Sequence, residues 1–391
     1  MQKLKIFCQE NVSQGGLLRK ACRIERVTNG KTISAESLWF EHPRLEKSIS
    51  SHDAEPFLLM VLLQAMAEGR DLDIEGTVSR KLLSNLTEFQ EYWMCGKPEV
   101  FQRIEISLTD LLETAGTIQG EQAVLAFSGG VDSTFSLWRH AFAKAGFRTQ
   151  KIRYCAFVHG FDIPLMEDAV FQSAYKRGVE TTYSLGIPLI PVRTNCREVI
   201  GLNWEFWFGP ALAAVLQLFK HECGLGLIPS GINYSDLKFP WGSNPAIDPL
   251  LSSAGFEIIH DGASYRRIKK IALLKQWDLG CSNLRVCWEG TQKDRNCGKC
   301  EKCLRNELAF YVNRLPRPPS FPLELRLAEI LKVRVHNYFV MAEWYDLART
   351  GWHNKINFSI LAAIAYVVLV SRFQNALKWR LKTINRFFKK N

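Results

Sequence analysis

The sequence predicts an α/β chain: a doubly wound parallel sheet with an embedded cysteine-rich module, preceded by an α+β module and followed by a helical C-terminal region. Three observations predict this. Between Ala123 and His260, short apolar runs alternate with helical periodicities. Five of the eleven cysteines fall between Cys281 and Cys303. Beyond the Pro-rich stretch Arg314–Pro322, the pattern is helical to the end.

Residues 1–120 mix short alternating runs, such as KTISAESLWF, with an expected helix at AEPFLLMVLLQAMAEG, and carry no chemical motif. In the central region the expected strands are Ala123–Phe127, Tyr154–Val158, Leu189–Val192, Leu225–Pro229 and Phe256–His260. The expected helices lie near Thr134–Lys144, Met166–Arg177 and Pro210–His221. Continuous apolar strands separated by helices indicate a parallel sheet covered on both faces, with ligands at the strand C-termini. The expected domains are 1–120, 121–311 with the cysteine segment 281–311, and 312–391. In the last, Phe358–Val370 is thirteen residues without charge. A helix of that length is roughly 20 Å long, short of a hydrocarbon core of about 30 Å. A buried or partner-facing helix is the first expectation, a membrane-surface helix the second and a span the third.

Net charge is +11, but seven basic residues and no acidic ones lie from Arg372 onward. The bias is largely a property of the tail, which suits a protein partner or a membrane surface, and basic charge alone does not indicate nucleic acid. Eleven cysteines without a framework spacing, behind an N-terminus lacking a secretory apolar core, predict a reduced cytoplasmic protein.

The stretch Ser128-Gly129-Gly130-Val131-Asp132-Ser133 sits between an expected strand and an expected helix. Glycines allow close backbone approach and positive φ. A helix N-terminus offers N–H groups and a positive dipole end to phosphate. Ser128 and Ser133 add hydroxyl donors. Asp132 is a poor phosphate partner unless Mg²⁺ lies between the two anions. No G-x-x-x-x-G-K-[ST] is present, so this is not a Walker A loop. The bland alternative is a capped βα turn. The hexapeptide resembles the PP-loop of the N-type ATP pyrophosphatases, whose products are AMP and pyrophosphate. That resemblance implies an adenine nucleotide alpha hydrolase-like domain in which Ser128, Gly129, Gly130, Val131, Asp132 and Ser133 cradle the pyrophosphate of ATP with its Mg²⁺. It gives Asp132 and Ser133 catalytic roles.

Cys287, Cys297, Cys300 and Cys303 form C-x9-C-x2-C-x2-C. Four thiolates complete a closed tetrahedral Zn²⁺ site with a structural role, and an Fe–S cluster is the runner-up. Cys281 is an alternative to Cys287; the remaining cysteines are expected to be core thiols. SGGVDS followed by NCGKCEKCLRNELAF resembles the 7-cyano-7-deazaguanine synthase family over roughly residues 121–311. Cys303, Arg305, Ala309 and Phe310 match its post-cysteine run, and Lys270 matches a recurring lysine, implying a catalytic role there. Gly231, Asn233 and Asp236 keep half of the family's next element. LKFPWGSNP replaces the half that reads the deazaguanine, and Asp248 comes later. The resemblance therefore implies ATP use but not the substrate.

Other candidates follow the strands. His159 and Asp162 are each candidates to touch the nucleotide or the substrate, against the alternative of a capped turn. Arg193, Thr194 and Arg197 are candidates for the same crevice. The aromatic NWEFWFGP is expected in the core rather than stacked on a base. Arg266, Arg267, Lys269 and Lys275 are expected on a solvated face. The favoured reading is an ATP-dependent, AMP-forming enzyme that adenylates a carboxylate or nucleobase oxygen for attack by an amine or ammonia. The alternatives are a tRNA-modifying enzyme of the thiolation or lysidine type, and a nucleotide-binding subunit of a bacterial defence system.

Overall fold

The computed structural model describes residues 2–47, 49–113, 120–287, 289–290 and 293–388, with side chains described as far as Leu377. Two compact units emerge: residues 1–231 with 237–263, and residues 232–236 with 264–391. The expected boundary near residue 120 adjoins 114–119, outside the described residues.

The first unit begins with strands β1 (Gln2–Cys8), β2 (Val12–Gln14), β3 (Leu17–Thr28) and β4 (Lys31–Pro43). Helix α1 (Glu55–Glu68), β5 (Asp71–Ser79), α2 (Arg80–Gly96) and β6 (Ile106–Leu112) follow. Then come β7 (Gln122–Ala126), α3 (Val131–Ala141), β8 (Lys151–His159), α4 (Asp168–Tyr183), β9 (Leu189–Thr194), the short α5 (Cys196–Val199), α6 (Trp204–Gln217), β10 (Leu225–Pro229) and β11 (Glu257–Asp261). Among the described residues, eleven strands join one sheet in the order β11-β10-β7-β8-β9-β4-β3-β1-β5-β6, with β2 paired to β3. From β11 to β9 every pairing is parallel. Counted along the chain, that half has the order 3-2-1-4-5, whose topological switch falls beside β7.

The N-terminal strands do not form a separate sheet. β4 pairs antiparallel with β9 through Phe40–Thr194 and Glu41–Arg193. Asn195 extends the seam: its Oδ1 accepts from Trp39 N at 3.0 Å and its Nδ2 donates to Ser37 O at 2.8 Å. The physical reason is that β9 would otherwise be a bare edge of a parallel sheet. Behind the seam, α1 is apolar on every side, and Leu58, Leu59, Met60, Val61, Leu62 and Leu63 are all buried. It packs on α6 and β5. Its core is continuous with Val124, Ala156, Val192 and Ile228 of the parallel half.

Helix α6 starts six residues before Pro210, the expected start. Asn203 caps it by accepting from Glu205 N at 3.1 Å, and Pro210 is accommodated inside. NWEFWFGP is therefore largely helical core, as expected. Trp207 is buried, and Phe206 meets Trp93 and Phe101 edge-on, with ring centroids 5.6 Å from each.

The second unit is helical: α7 (Arg267–Leu274), α8 (Asp278–Ser282), α9 (Glu301–Val312), α10 (Leu327–Lys332), α11 (Tyr338–His353) and α12 (Phe358–Phe388). The last differs from expectation, running 31 residues rather than thirteen. Ala363, Ile364, Val367 and Ser371 are buried, and Ser371 Oγ accepts from Val335 N at 3.0 Å. Phe358, Tyr366, Leu369, Phe373 and Leu377 form an exposed stripe at helical spacing. Over Phe358–Leu377, mean hydropathy is 1.6 and 28% of the segment is buried, so by length and composition this helix can cross a membrane. One face of the helix is buried against α10 and α11 and the other is exposed. Charged side chains of the tail beyond Leu377 lie outside the described residues.

Candidate functional site

The glycine turn follows β7, at the topological switch of the parallel half. Gly129 has φ 73°, the left-handed region that a side chain resists. Gly130 is the N-cap of α3 and supplies no side-chain cap, while its carbonyl accepts the first helical bond from Thr134 N at 3.0 Å. Ser128 and Ser133 close the bend. Ser133 Oγ donates to Gly130 O at 3.2 Å and accepts from Ser128 N at 3.3 Å. Gly130 N donates to Ser128 Oγ at 3.3 Å, and the two hydroxyl oxygens are 3.4 Å apart. These are long bonds compared with the usual 2.9–3.0 Å, so the structure brings Ser128, Gly129, Gly130 and Ser133 together loosely. Val131 is buried beneath them, and Asp132 is half-buried in the first turn of α3.

Buried charge fixes the helix behind the turn. Asp261, at the end of β11, accepts from Ser136 Oγ at 2.6 Å, and its Oδ1 lies 3.2 Å from Arg139 Nη1 and 3.3 Å from His140 Nε2. His140 Nδ1 accepts from Gln150 N, leaving Nε2 to carry the proton toward Asp261. Burial raises the Asp261 carboxyl, but His140, Arg139 and Ser136 outweigh it and hold it below the ordinary Asp range. Sequence reasoning missed this anchor; a charge closing the apolar run FEIIHD was its only signal.

Other expected contacts lie elsewhere. His159 is fully buried, stacked on Phe171 at 4.2 Å, with Nε2 3.0 Å from Pro164 O. Burial lowers its pKa, so it is a neutral core ring rather than an open nucleotide contact. Asp162 is exposed. Arg193 pairs with Glu41 at 3.5 Å, Thr194 is buried in the seam, and Arg197 lies over the Trp204 ring at 4.6 Å. The loop 237–245 is clamped by buried groups. Asp248 binds Ser243 Oγ at 2.7 Å and His260 Nδ1 at 2.7 Å, and Tyr92 Oη accepts from Trp241 N and Asn244 Nδ2, each at 3.0 Å.

In the second unit, Lys270 is buried on α7. Arg266, expected on a solvated face, instead holds both Asp346 oxygens at 2.9 Å and reaches Ser235 and Asp236. Asn233 donates to Asp236 within that group. Arg305 is buried between Glu301 and Glu343.

The four cysteines are assembled. The sulfurs of Cys287, Cys297, Cys300 and Cys303 lie within 4.8 Å of one another. Cys287–Cys300 is 3.7 Å and Cys297–Cys303 is 3.8 Å. Four sulfurs at about 2.3 Å around a tetrahedral ion sit about 3.8 Å apart, so the cage has the size for a metal. Gly298, at φ 69°, makes the bend, and Lys299 N and Cys300 N donate to Cys297 Sγ at 3.4 and 3.3 Å. Cys300 caps α9, accepting from Cys303 N. Cys281 is not a ligand: its thiol donates to Leu274 O at 3.3 Å.

Compared with protein-family models, with curated proteins and with solved structures, the chain gives no match.

Proposed function

We propose that this chain is an ATP-dependent, AMP-forming enzyme of the N-type ATP pyrophosphatase class, with a PP-loop at Ser128–Ser133. The observation that carries the reading is the glycine turn at the switch of the parallel half. Left-handed Gly129, side-chain-free Gly130 at a helix N-terminus and two loosely bonded hydroxyls suit a polyphosphate. Asp132 would hold Mg²⁺ against the pyrophosphate, stabilising charge as it departs. An acceptor oxygen, from a carboxylate or a nucleobase, attacks the α-phosphorus of ATP. The bond to the bridging oxygen breaks and pyrophosphate leaves. An amine or ammonia then displaces AMP from the adenylated acceptor. The class is similar to the 7-cyano-7-deazaguanine synthases, with an altered substrate. The replaced loop and its Asp248–His260 clamp support the alteration. Zn²⁺ in the four-cysteine cage would serve the fold, since four sulfurs leave no coordination position for chemistry.

The test is pyrophosphate release from ATP in the presence of fractionated cell extract. A fraction that stimulates the wild type and leaves Asp132→Ala at least about 100-fold slower supports the reading. Equal release from both proteins, or none with any fraction, overturns it.

A further inference from the structure

The second unit contains a cavity of about 520 Å³ that neither the glycine turn nor the cysteine cage uses. That is within the roughly 300–1,000 Å³ range of small-molecule sites. Its apolar wall comes from Phe310, Leu315, Leu325 and Ile360, Glu307 lines it from α9, and the exposed Arg317 and Glu324 border it at the rim. Glu307 is only 2% exposed, and neither carboxylate oxygen has a hydrogen-bond partner. Buried polar groups are ordinarily satisfied, and a carboxylate with both oxygens unmet in an apolar wall is costly without a purpose. Burial pushes Glu307 up to about 7, with Arg317 opposing that shift.

The unmet groups are acceptors, so the missing partner is a donor. An anion would face the carboxylate. A hard divalent ion needs six or more oxygens drawn close together, whereas Glu307 is the one buried acid of the wall and Glu324, Asn357 and Ser359 stand exposed at its rim. A cation with N–H donors and an apolar body satisfies both parts of the surface.

We propose that this cavity binds a small organic amine or amidine, its N–H groups donating to Glu307 and its apolar body packed against Phe310, Leu315, Leu325 and Ile360. The site stands independently of the ATP reading. Position 307 also lies on the face of α9 that carries Phe310 and Tyr311, so one helix presents the acid and part of its apolar surround.

Calorimetric titration of the full chain at pH 8 tests the proposal, with tryptamine and its uncharged counterpart tryptophol as probes. Tryptamine is expected to saturate with a Kd at least tenfold below that of tryptophol. Glu307→Gln should weaken tryptamine at least tenfold and leave tryptophol unchanged, and Leu325→Trp, which fills the cavity, should block both. The second variant keeps the test open should the first fail to fold. No saturable tryptamine binding, equal affinities for the two probes, or an undiminished preference in a folded Glu307→Gln protein overturns the proposal.

Discussion

The cysteine cage and the glycine turn use the chain in opposite ways. In the cage, the sulfurs already stand 3.7 and 3.8 Å apart in pairs, and backbone N–H groups orient Cys297. Covalent spacing and Gly298 create the geometry, so its ligand would be a structural element. In the turn, the side chains hold one another at 3.2–3.4 Å, and buried bonds begin one helical turn later, at Ser136, Arg139 and His140. The bend is supported from behind and loose in front. The cage is closed by its own atoms, whereas the bonds of Ser128 and Ser133 across the turn are long.

This contrast predicts that stability and activity separate. The largest effect should come from Cys300→Ser or from metal chelation. Structural zinc is worth about 10–16 kcal/mol in isolated fingers, so the 264–353 region should lose protease protection and bound zinc should fall well below one per chain. Retained protection in metal-free protein would break the comparison. Next is Asp261→Asn, which leaves Arg139 and His140 buried without their carboxylate. A loss of about 3–5 kcal/mol is expected in urea denaturation. Because the Asp261 pKa is depressed, its contribution is full above the ordinary Asp value and is lost as pH falls through the native one. The variant should therefore show a flatter acid limb than the wild type. Gly129→Ala comes third, costing about 1–2 kcal/mol for a left-handed Cβ and abolishing pyrophosphate release. The smallest stability effect is expected of Ser133→Ala, within about 1 kcal/mol, with release still reduced at least tenfold. A Ser133→Ala protein as active as wild type would remove the turn from the chemistry.

Much of this was legible in the sequence where local pattern decides. Apolar runs placed β7 to β11 within a few residues, and the C-x2-C-x2-C spacing placed the cage. Pro210 misplaced the start of α6 because proline favours first turns, while aromatic packing and the Asn203 cap extended the helix upstream. The charge-free stretch in the C-terminal region gave too short a helix, because polar residues after Val370 continue it. At the candidate site, the turn's residue types were visible but its anchor was not. Asp261 meets Ser136 across 125 positions, and no window on the sequence shows such a contact. Glu307 escaped notice for the same reason: tertiary packing, not its neighbours in RNELAF, removes its oxygens from water. His159 followed a strand as a nucleotide contact should, but Phe171 and Pro164 claim its ring.

The seam at β4 and β9 limits how the molecule can be dissected. Excision near residue 120, to isolate the part with the glycine turn, would strip β9 of its rungs to Phe40 and Glu41 and free both bonds of Asn195. The naked strand would then recruit another chain. The first strands act as a selvedge, woven in so that the cloth beside them does not fray.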